Sequence, residues 1–270
     1  MKRPPRKLKF SFLLLMIGGL FYFFLFSPVF EIRRWHLEQE DFFKKETFLK
    51  TVNHLAEQRV WGIFPQKNFF ILLLTSSSFK RTLYDLFPEI KNIAMIPSWQ
   101  KESVFKSFKL RIEQREKVGI WCNAKKTSSE EENSNKLLKE SCYYFDDQGF
   151  LFKQAPQTKG PFLFVVKNET DLSPGSKQEI EDKKLLNALL YLKQAFSQIP
   201  FSVEEIRVFS LNHDLEVKTN EGWSLYFDPQ TDIERAFQVF LEILPEKLEP
   251  TKTLEYVDLR IKNRAYVKRK

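Results

Sequence analysis

The 270-residue chain is poor in the residue types from which catalytic and metal sites are usually built. It has only three histidines, His36, His54 and His213, and none has another histidine, a cysteine or an acid at the spacing of metal ligands. Its eight glycines are scattered, so no glycine-rich phosphate loop is present, and no serine lies in a G-x-S-x-G elbow. Asp146 and Asp147 pair two carboxylates, but their D-D-Q-G context is typical of a turn between strands. We therefore expect no catalytic residues, no metal and no cofactor.

Charged side chains are absent between Phe10 and Phe30. As a helix this run would rise about 30 Å, the thickness of the hydrocarbon core of a bilayer. Its end, F-S-P-V-F, has no pair of small residues for signal-peptide cleavage, and five basic residues precede it in the first nine positions. These features predict a cytoplasmic tail over 1–9, an uncleaved transmembrane helix over 10–29 and a single-pass type II protein of the cytoplasmic (inner) membrane. Everything from Glu31 onward is then expected outside the cytoplasm.

Cysteine is scarce as well, since the chain has only Cys122 and Cys142. They flank a polar run over 123–141, which is typical of a solvated insertion in a hairpin. If the flanking residues form the two strands of that hairpin, the cysteines lie opposite each other and can form a disulfide. The alternative is a pair of half-buried free thiols, and the sequence leaves both open.

The chain also lacks a strongly basic surface beyond its N-terminus. The net charge is +8, but five of the positive charges fall in residues 1–9. The remainder is only mildly basic, so nucleic acid is not an expected partner. Phenylalanine is abundant instead, with 28 residues, which implies well-filled hydrophobic cores.

The first part of the chain beyond the apolar run has the pattern strand, helix, helix, strand, strand. Residues 30–37 alternate in polarity, and Phe48, Val52 and Leu55 recur at helical spacing within a predicted helix over 46–58. A short apolar run follows at 69–74. A second helix begins near Ser76 and ends before Pro88, and two strands follow near 90–96 and 108–122.

The second part mixes strands with two amphipathic helices. The predicted strands lie at 141–145, 150–152, 161–167, 203–209, 214–219 and 223–228, and the predicted helices at 178–198 and 231–244. A long strand over 253–268 closes the chain, with one apolar and one basic face. From the residues alone this strand is either an edge or paired inside the sheet.

Five stretches of the sequence resemble the FtsQ/DivIB family of bacterial cell-division proteins. They are 30–37 (FEIRRWHL), 88–94 (PEIKNIA), 112–121 (IEQREKVGIW), 143–152 (YYFDDQGFLF) and 256–260 (YVDLR). The resemblance covers about 240 residues in the family's order. It implies an α+β protein with an N-terminal transmembrane helix, a small POTRA domain (β-α-α-β-β) over 30–116 and a larger mixed α/β "β-domain" over 117–270 with a C-terminal edge strand.

The resemblance also implies a function without catalysis. Members of this family are divisome scaffolds at the division septum, which bind FtsB/DivIC-like and FtsL-like partners and help to recruit or regulate septal peptidoglycan synthesis by FtsW and FtsI. In the family the partner adds a strand to the last strand of the β-domain. The corresponding residues here are Tyr256, Val257, Asp258, Leu259, Arg260, Ile261 and Lys262.

Two alternative functions remain open. One is a POTRA-type envelope transport or chaperone component, although such proteins usually carry several POTRA units and this pattern shows one. The other is an anchored cell-envelope enzyme, which the missing catalytic constellation disfavours.

Overall fold

The computed structural model describes residues 6–39, 44–98, 106–123, 141–157, 164–169, 179–209, 214–245 and 251–270, apart from the side chains of 6–9. The chain divides into two compact units, Met1–Arg115 and Glu116–Lys270, called here the first and second unit. Most of the predicted polar insertion at 123–141 lies outside the described residues. So do the first part of the predicted strand at 161–167 and the beginning of the predicted helix at 178–198.

The first helix, α1, spans Arg6–Phe26, and a single 3-10 turn follows at Pro28–Phe30. The uncharged part of α1 extends from Phe10 to Phe26 and rises about 25 Å. The hydrocarbon core of a bilayer is thicker, at about 30 Å. Within the described residues, no helix combines the length and the apolar character needed to cross a membrane. This finding contradicts the predicted transmembrane helix over 10–29 and the predicted single-pass membrane localisation. Residues 6–9 of the expected tail belong to α1, and residues 1–5 lie outside the described part.

A three-stranded sheet with the order β1-β5-β4 organises the rest of the first unit. Its elements are β1 (Arg34–Leu37), α2 (Lys45–Glu57), β2 (Arg59–Val60), β3 (Phe64–Pro65), α3 (Phe69–Leu74), α4 (Ser76–Leu86), β4 (Ile90–Pro97) and β5 (Ser107–Gln114). Strand β1 is parallel to β5, and β4 is antiparallel to it. The strand-helix-helix-strand-strand order is present as β1, α2, α4, β4 and β5, with the β2–β3 hairpin and α3 between the two helices.

Aromatic side chains fill the core of the first unit. Phe48 of α2, Phe79 of α4 and Phe108 of β5 are almost completely buried in one cluster. Trp35 of β1 stacks on Phe79 and Phe108, with ring centroids 6.0 and 5.8 Å apart. The helical spacing of apolar residues in α2 and α4 therefore serves to cover one face of this sheet.

Asn68 joins α1 to α3. Its Oδ1 accepts hydrogen bonds from the backbone N–H groups of Phe70 and Ile71, which caps the start of α3. Its Nδ2 donates to the carbonyl oxygens of Phe24 and Leu25, both at 3.0 Å, at the end of α1. The side chain is 3% exposed, so one buried amide satisfies unpaired groups of two helix ends.

The second unit contains a nine-stranded sheet with the order β14-β13-β12-β11-β10-β9-β6-β7-β8. Its elements are β6 (Gly119–Asn123), β7 (Ser141–Phe145), β8 (Leu151–Gln154), β9 (Val165–Asn168), α5 (Lys183–Ala195), β10 (Val203–Phe209), β11 (Asp214–Thr219), β12 (Ser224–Phe227), α6 (Ile233–Ile243), β13 (Leu254–Asp258) and β14 (Tyr266–Arg269). Neighbours are antiparallel except for three parallel pairs, β12/β13, β10/β9 and β6/β9. The protein is thus a mixed α/β structure with one large sheet.

Helices α5 and α6 form a common core with alternate residues of the sheet. Leu189 of α5 and Phe237 of α6 are completely buried in the same cluster as Val208, Val217 and Leu225 of successive strands. The helices begin at two aspartates, Asp182 and Asp232, whose carboxylates accept backbone N–H bonds in the first turn. The other face of these strands, called here the outer face, carries the polar and aromatic residues.

Gly119 stands at the start of β6, close to Phe164 and Phe145. A Cβ atom at this position would lie 2.5 Å from the carbonyl oxygen of Phe164 and 2.8 Å from the ring of Phe145. The close approach of these neighbours therefore requires glycine.

The end of the chain differs from the prediction. Instead of one strand over 253–268, the chain forms two, because β13 ends at Asp258 and a turn at 261–264 sends β14 back beside it. Asn263 adopts φ +58° in this turn, a left-handed conformation that asparagine tolerates better than most residues. The expected C-terminal edge strand at 256–262 is corrected accordingly, since β13 lies between β12 and β14.

Candidate partner-binding edge

Strand β14 ends the large sheet and is exposed along its whole length. All four of its residues are exposed, and among them Tyr266 and Val267 keep 48% and 40% of their surface accessible. No strand of the described residues pairs with its outer side. An exposed edge of this kind is a template on which another chain can add a strand.

The side to which each N–H and C=O group of β14 points follows from the pairing of β14 with β13, because successive residues of an antiparallel strand point these groups to opposite sides. The N–H of Lys270 donates to the carbonyl of Thr253 at 2.9 Å, on the β13 side. Because alternate residues face the same neighbour, Tyr266 and Lys268 also direct their main-chain groups towards β13. Val267 therefore directs its N–H and C=O away from β13, towards the open side.

Two other edges of the sheets are partly covered. Beside β8, Phe150 forms an isolated bridge with Glu179, and the N–H of Ile180 donates to the Gly149 carbonyl. In β4, the edge of the smaller sheet, the hydroxyl of Tyr84 accepts the N–H of Ile93 at 3.1 Å. Covering is one of the devices by which proteins protect edges from unwanted pairing, and no segment of the described residues covers β14 in this way.

The seven residues predicted for partner binding fall into three groups. Val257 and Leu259 are buried in the core, with exposures of 0% and 2%. Asp258 and Arg260 form an ion pair with each other, and Tyr256, Ile261 and Lys262 reach the surface. The structure therefore brings the predicted segment next to the edge but does not make it the edge.

Asp258 and Arg260 hold the start of the C-terminal turn in place. Arg260 donates to both carboxylate oxygens of Asp258, at 2.9 and 2.6 Å, and to Asp214 at 3.1 Å. The hydrogen bonds that Arg260 donates to the Asp258 carboxylate lower the pKa of Asp258 below its usual value and raise the pKa of Arg260. Its guanidinium also lies 5.5 Å from the ring centre of Tyr226. Arg260 thus has a structural role within the second unit and is not a candidate for contact with a binding partner.

A row of polar and aromatic side chains crosses the outer face towards the edge. In register from β10 to β14 it consists of Arg207, Glu216, Tyr226, Asp258 and Tyr266. Burial and the neighbouring carboxylate of Glu216 raise the pKa of Tyr226. The row ends at Tyr266, so side chains of an added strand would meet a tyrosine there.

A second row reaches the edge at Lys268. It carries Tyr256, whose ring packs edge-on against Tyr226 at 5.6 Å. The ammonium group of Lys268 lies 5.7 Å from the Tyr256 ring centre and 2.8 Å from a Glu255 carboxylate oxygen. Tyrosine side chains are enriched in protein interfaces.

Sequence reasoning missed the edge residues Tyr266, Val267 and Lys268. The available signal was Asn263, a turn-forming residue between two alternating segments. An alternating pattern has the same period in one long strand and in two strands of a hairpin, which is why the break went undetected.

Cys122 and Cys142 lie opposite each other in β6 and β7 and are joined by a disulfide. Both are buried, at 3% and 1%, in a small cluster that includes Ile120 and Val165. The bridge therefore links the two adjacent strands near the end of β6 and the start of β7.

Across the described ranges, no group of three or more histidines, cysteines, aspartates or glutamates is arranged to hold a metal ion. No protein-family model matches the chain, and no curated protein sequence matches it.

Proposed function

We propose that this protein is a non-catalytic scaffold that binds another protein by strand addition at β14. The observation that carries the proposal is the exposed four-residue edge, in which Val267 directs its backbone groups away from β13. By the resemblance to the FtsQ/DivIB family, the partner is an FtsB/DivIC-like protein, with an FtsL-like protein bound alongside. The role is then to help recruit or regulate the septal peptidoglycan synthesis of FtsW and FtsI.

Two of the stretches that carry the resemblance contact each other in the first unit. The backbone N–H of Arg115 donates to the carbonyl of Glu89, and its guanidinium Nε donates to the carbonyl of Pro88 at 3.1 Å. These contacts join the stretch 112–121 to the stretch 88–94.

Selection of a partner by strand addition depends on side-chain contacts more than on main-chain hydrogen bonds. Each main-chain hydrogen bond to an added strand contributes only about 0.5–1.5 kcal/mol. A short edge such as β14 therefore cannot select a partner by its backbone alone. Tyr266 and Lys268 on the outer face, with Tyr256 behind them, are the side chains that such a strand would contact.

Amide hydrogen exchange tests strand addition on the complex of the full chain with the FtsB/DivIC-like protein of its host. Binding is expected to slow exchange of the Val267 amide strongly and to change the Tyr266 and Lys268 amides little, because those already face β13. A matched control is the Ile93 amide of β4, which should not change. Unchanged exchange at Val267 in a saturated complex would contradict the proposal.

A further inference from the structure

A groove in the first unit lies between the end of α2, the β2–β3 hairpin and the start of α4. Its volume is about 350 Å³, which is near the lower end of the range for small-molecule sites. We call it the Trp61 groove. Its polar and aromatic lining consists of Gln58, Trp61, Gln66, Thr75, Ser78 and Thr82.

No residue that lines the Trp61 groove carries a charge. Besides the indole N–H of Trp61, its polar side-chain groups are two amides and three hydroxyls, each of which can both donate and accept hydrogen bonds. The hydroxyls of Thr75 and Thr82 donate to helix carbonyls and keep their lone pairs available. Without a cationic or anionic lining group, a charged ligand would lose its hydration without gaining a charged partner.

Trp61 does not pack in the hydrophobic core of the first unit. Its side chain is 80% exposed, and its backbone has φ +51°, an uncommon conformation for a bulky residue. Its only described ring neighbour is Phe64, edge-on at 6.1 Å. A hairpin that holds an exposed tryptophan in an unfavourable backbone conformation is typical of a binding surface.

We propose that the Trp61 groove binds a neutral sugar. A pyranose ring has one apolar face of C–H groups, which can stack on the indole, and a rim of hydroxyls, which both donate and accept hydrogen bonds. The indole face and the amide and hydroxyl groups of Gln58, Gln66 and Ser78 match these two properties. The inference concerns the first unit and does not depend on strand addition at β14.

Titration of the full chain with three neutral oligosaccharides, cellotetraose, maltotetraose and tetra-N-acetylchitotetraose, tests the proposal by calorimetry and by saturation-transfer NMR. At least one of them should bind saturably. Trp61→Gly, which removes the ring and suits the left-handed backbone, should weaken binding about tenfold or more, equivalent to about 1.4 kcal/mol. Gln66→Ala should weaken it as well.

Ile63→Ala is the matched control, because Ile63 is exposed at the same hairpin, at 58%, but does not line the groove. It should leave the affinity unchanged. Circular dichroism and thermal melting of Trp61→Gly establish that the variant is folded. The proposal is overturned if none of the three sugars binds, or if folded Trp61→Gly binds as tightly as the unmodified chain.

Discussion

Replacing Asn68 by alanine should destabilise the first unit strongly. The change removes four hydrogen bonds of one buried side chain, two to the start of α3 and two to the end of α1. Loss of a helix N-cap costs about 0.5–2 kcal/mol, and each lost bond to a carbonyl costs about 0.5–1.5 kcal/mol. The expected loss in the free energy of unfolding is therefore about 1.5–5 kcal/mol.

Asn68→Ser separates the two contributions. The serine hydroxyl can still cap α3, but it is too short to reach the carbonyl oxygens of Phe24 and Leu25. This variant should recover about 1 kcal/mol of the loss. The assay is urea unfolding of the full chain. Hydrogen exchange in peptides from the first unit is the readout, so that unfolding of the second unit does not contribute to the measured stability.

Asn53→Ala provides the control, since Asn53 is exposed on α2 and should show no loss of stability. The reasoning is refuted if Asn68→Ala costs less than about 1 kcal/mol. It is also refuted if the serine and alanine variants are equally stable, because the cap would then contribute nothing.

Three further changes have defined outcomes. Replacing Cys122 and Cys142 together by alanine should lower the free energy of unfolding of the second unit by about 3 kcal/mol, because the disulfide joins residues with a sequence separation of 20. Urea unfolding measures this loss. Trp61→Gly should raise the stability of the first unit by about 1 kcal/mol by relieving its positive φ, as read from the urea midpoint. Asp258→Asn should make the stability of the second unit less dependent on pH below about 4, as seen in urea unfolding at a series of pH values.

The direction of the pH effect follows from the lowered pKa of Asp258. Its ionised form is stabilised in the folded chain by the hydrogen bond from Arg260, so this contribution is present above the unfolded pKa of about 3.9. It is lost as the pH falls through the lower folded pKa. An unchanged acid dependence in Asp258→Asn would contradict this account. Equal stability of the double alanine variant, or a less stable Trp61→Gly, would contradict the other two predictions.

Helices with a strong apolar period were predictable from the sequence. The spacing of Phe48, Val52 and Leu55 predicted a helix over 46–58, and α2 spans Lys45–Glu57. The predicted helix over 231–244 corresponds to α6 at Ile233–Ile243, which starts after the cap Asp232. Here the local pattern and the packing of the helix on the sheet agree.

Short apolar segments were harder to assign. The run 69–74 had no period that separates helix from strand, and the structure shows the helix α3 with Asn68 as its cap. The apolar run from Phe10 to Phe30 predicted a continuous transmembrane helix, whereas α1 ends at Phe26, before Ser27 and Pro28. In both cases the capping and turn residues carried information that composition did not.

For the candidate partner-binding edge, the sequence predicted the region of the chain but not the strand that forms the edge. The pattern at 253–268 indicated an amphipathic strand near the end of the chain, but sheet order is a long-range property that alternation does not encode. The Trp61 groove was not predictable at all, because its lining comes from α2, the β2–β3 hairpin and α4, which only the fold brings together.

The most direct test of the central claim is photo-crosslinking from the β14 edge in dividing cells of the host. A crosslinking residue at Tyr266 or Lys268 should capture a small coiled-coil protein of the FtsB/DivIC type, and one at Met95 in β4 should not. Val267→Pro should abolish capture, because it removes a backbone donor from the open side and leaves the pairing with β13 intact. Absence of capture at both β14 positions, or capture that persists in Val267→Pro, would contradict strand addition at this edge.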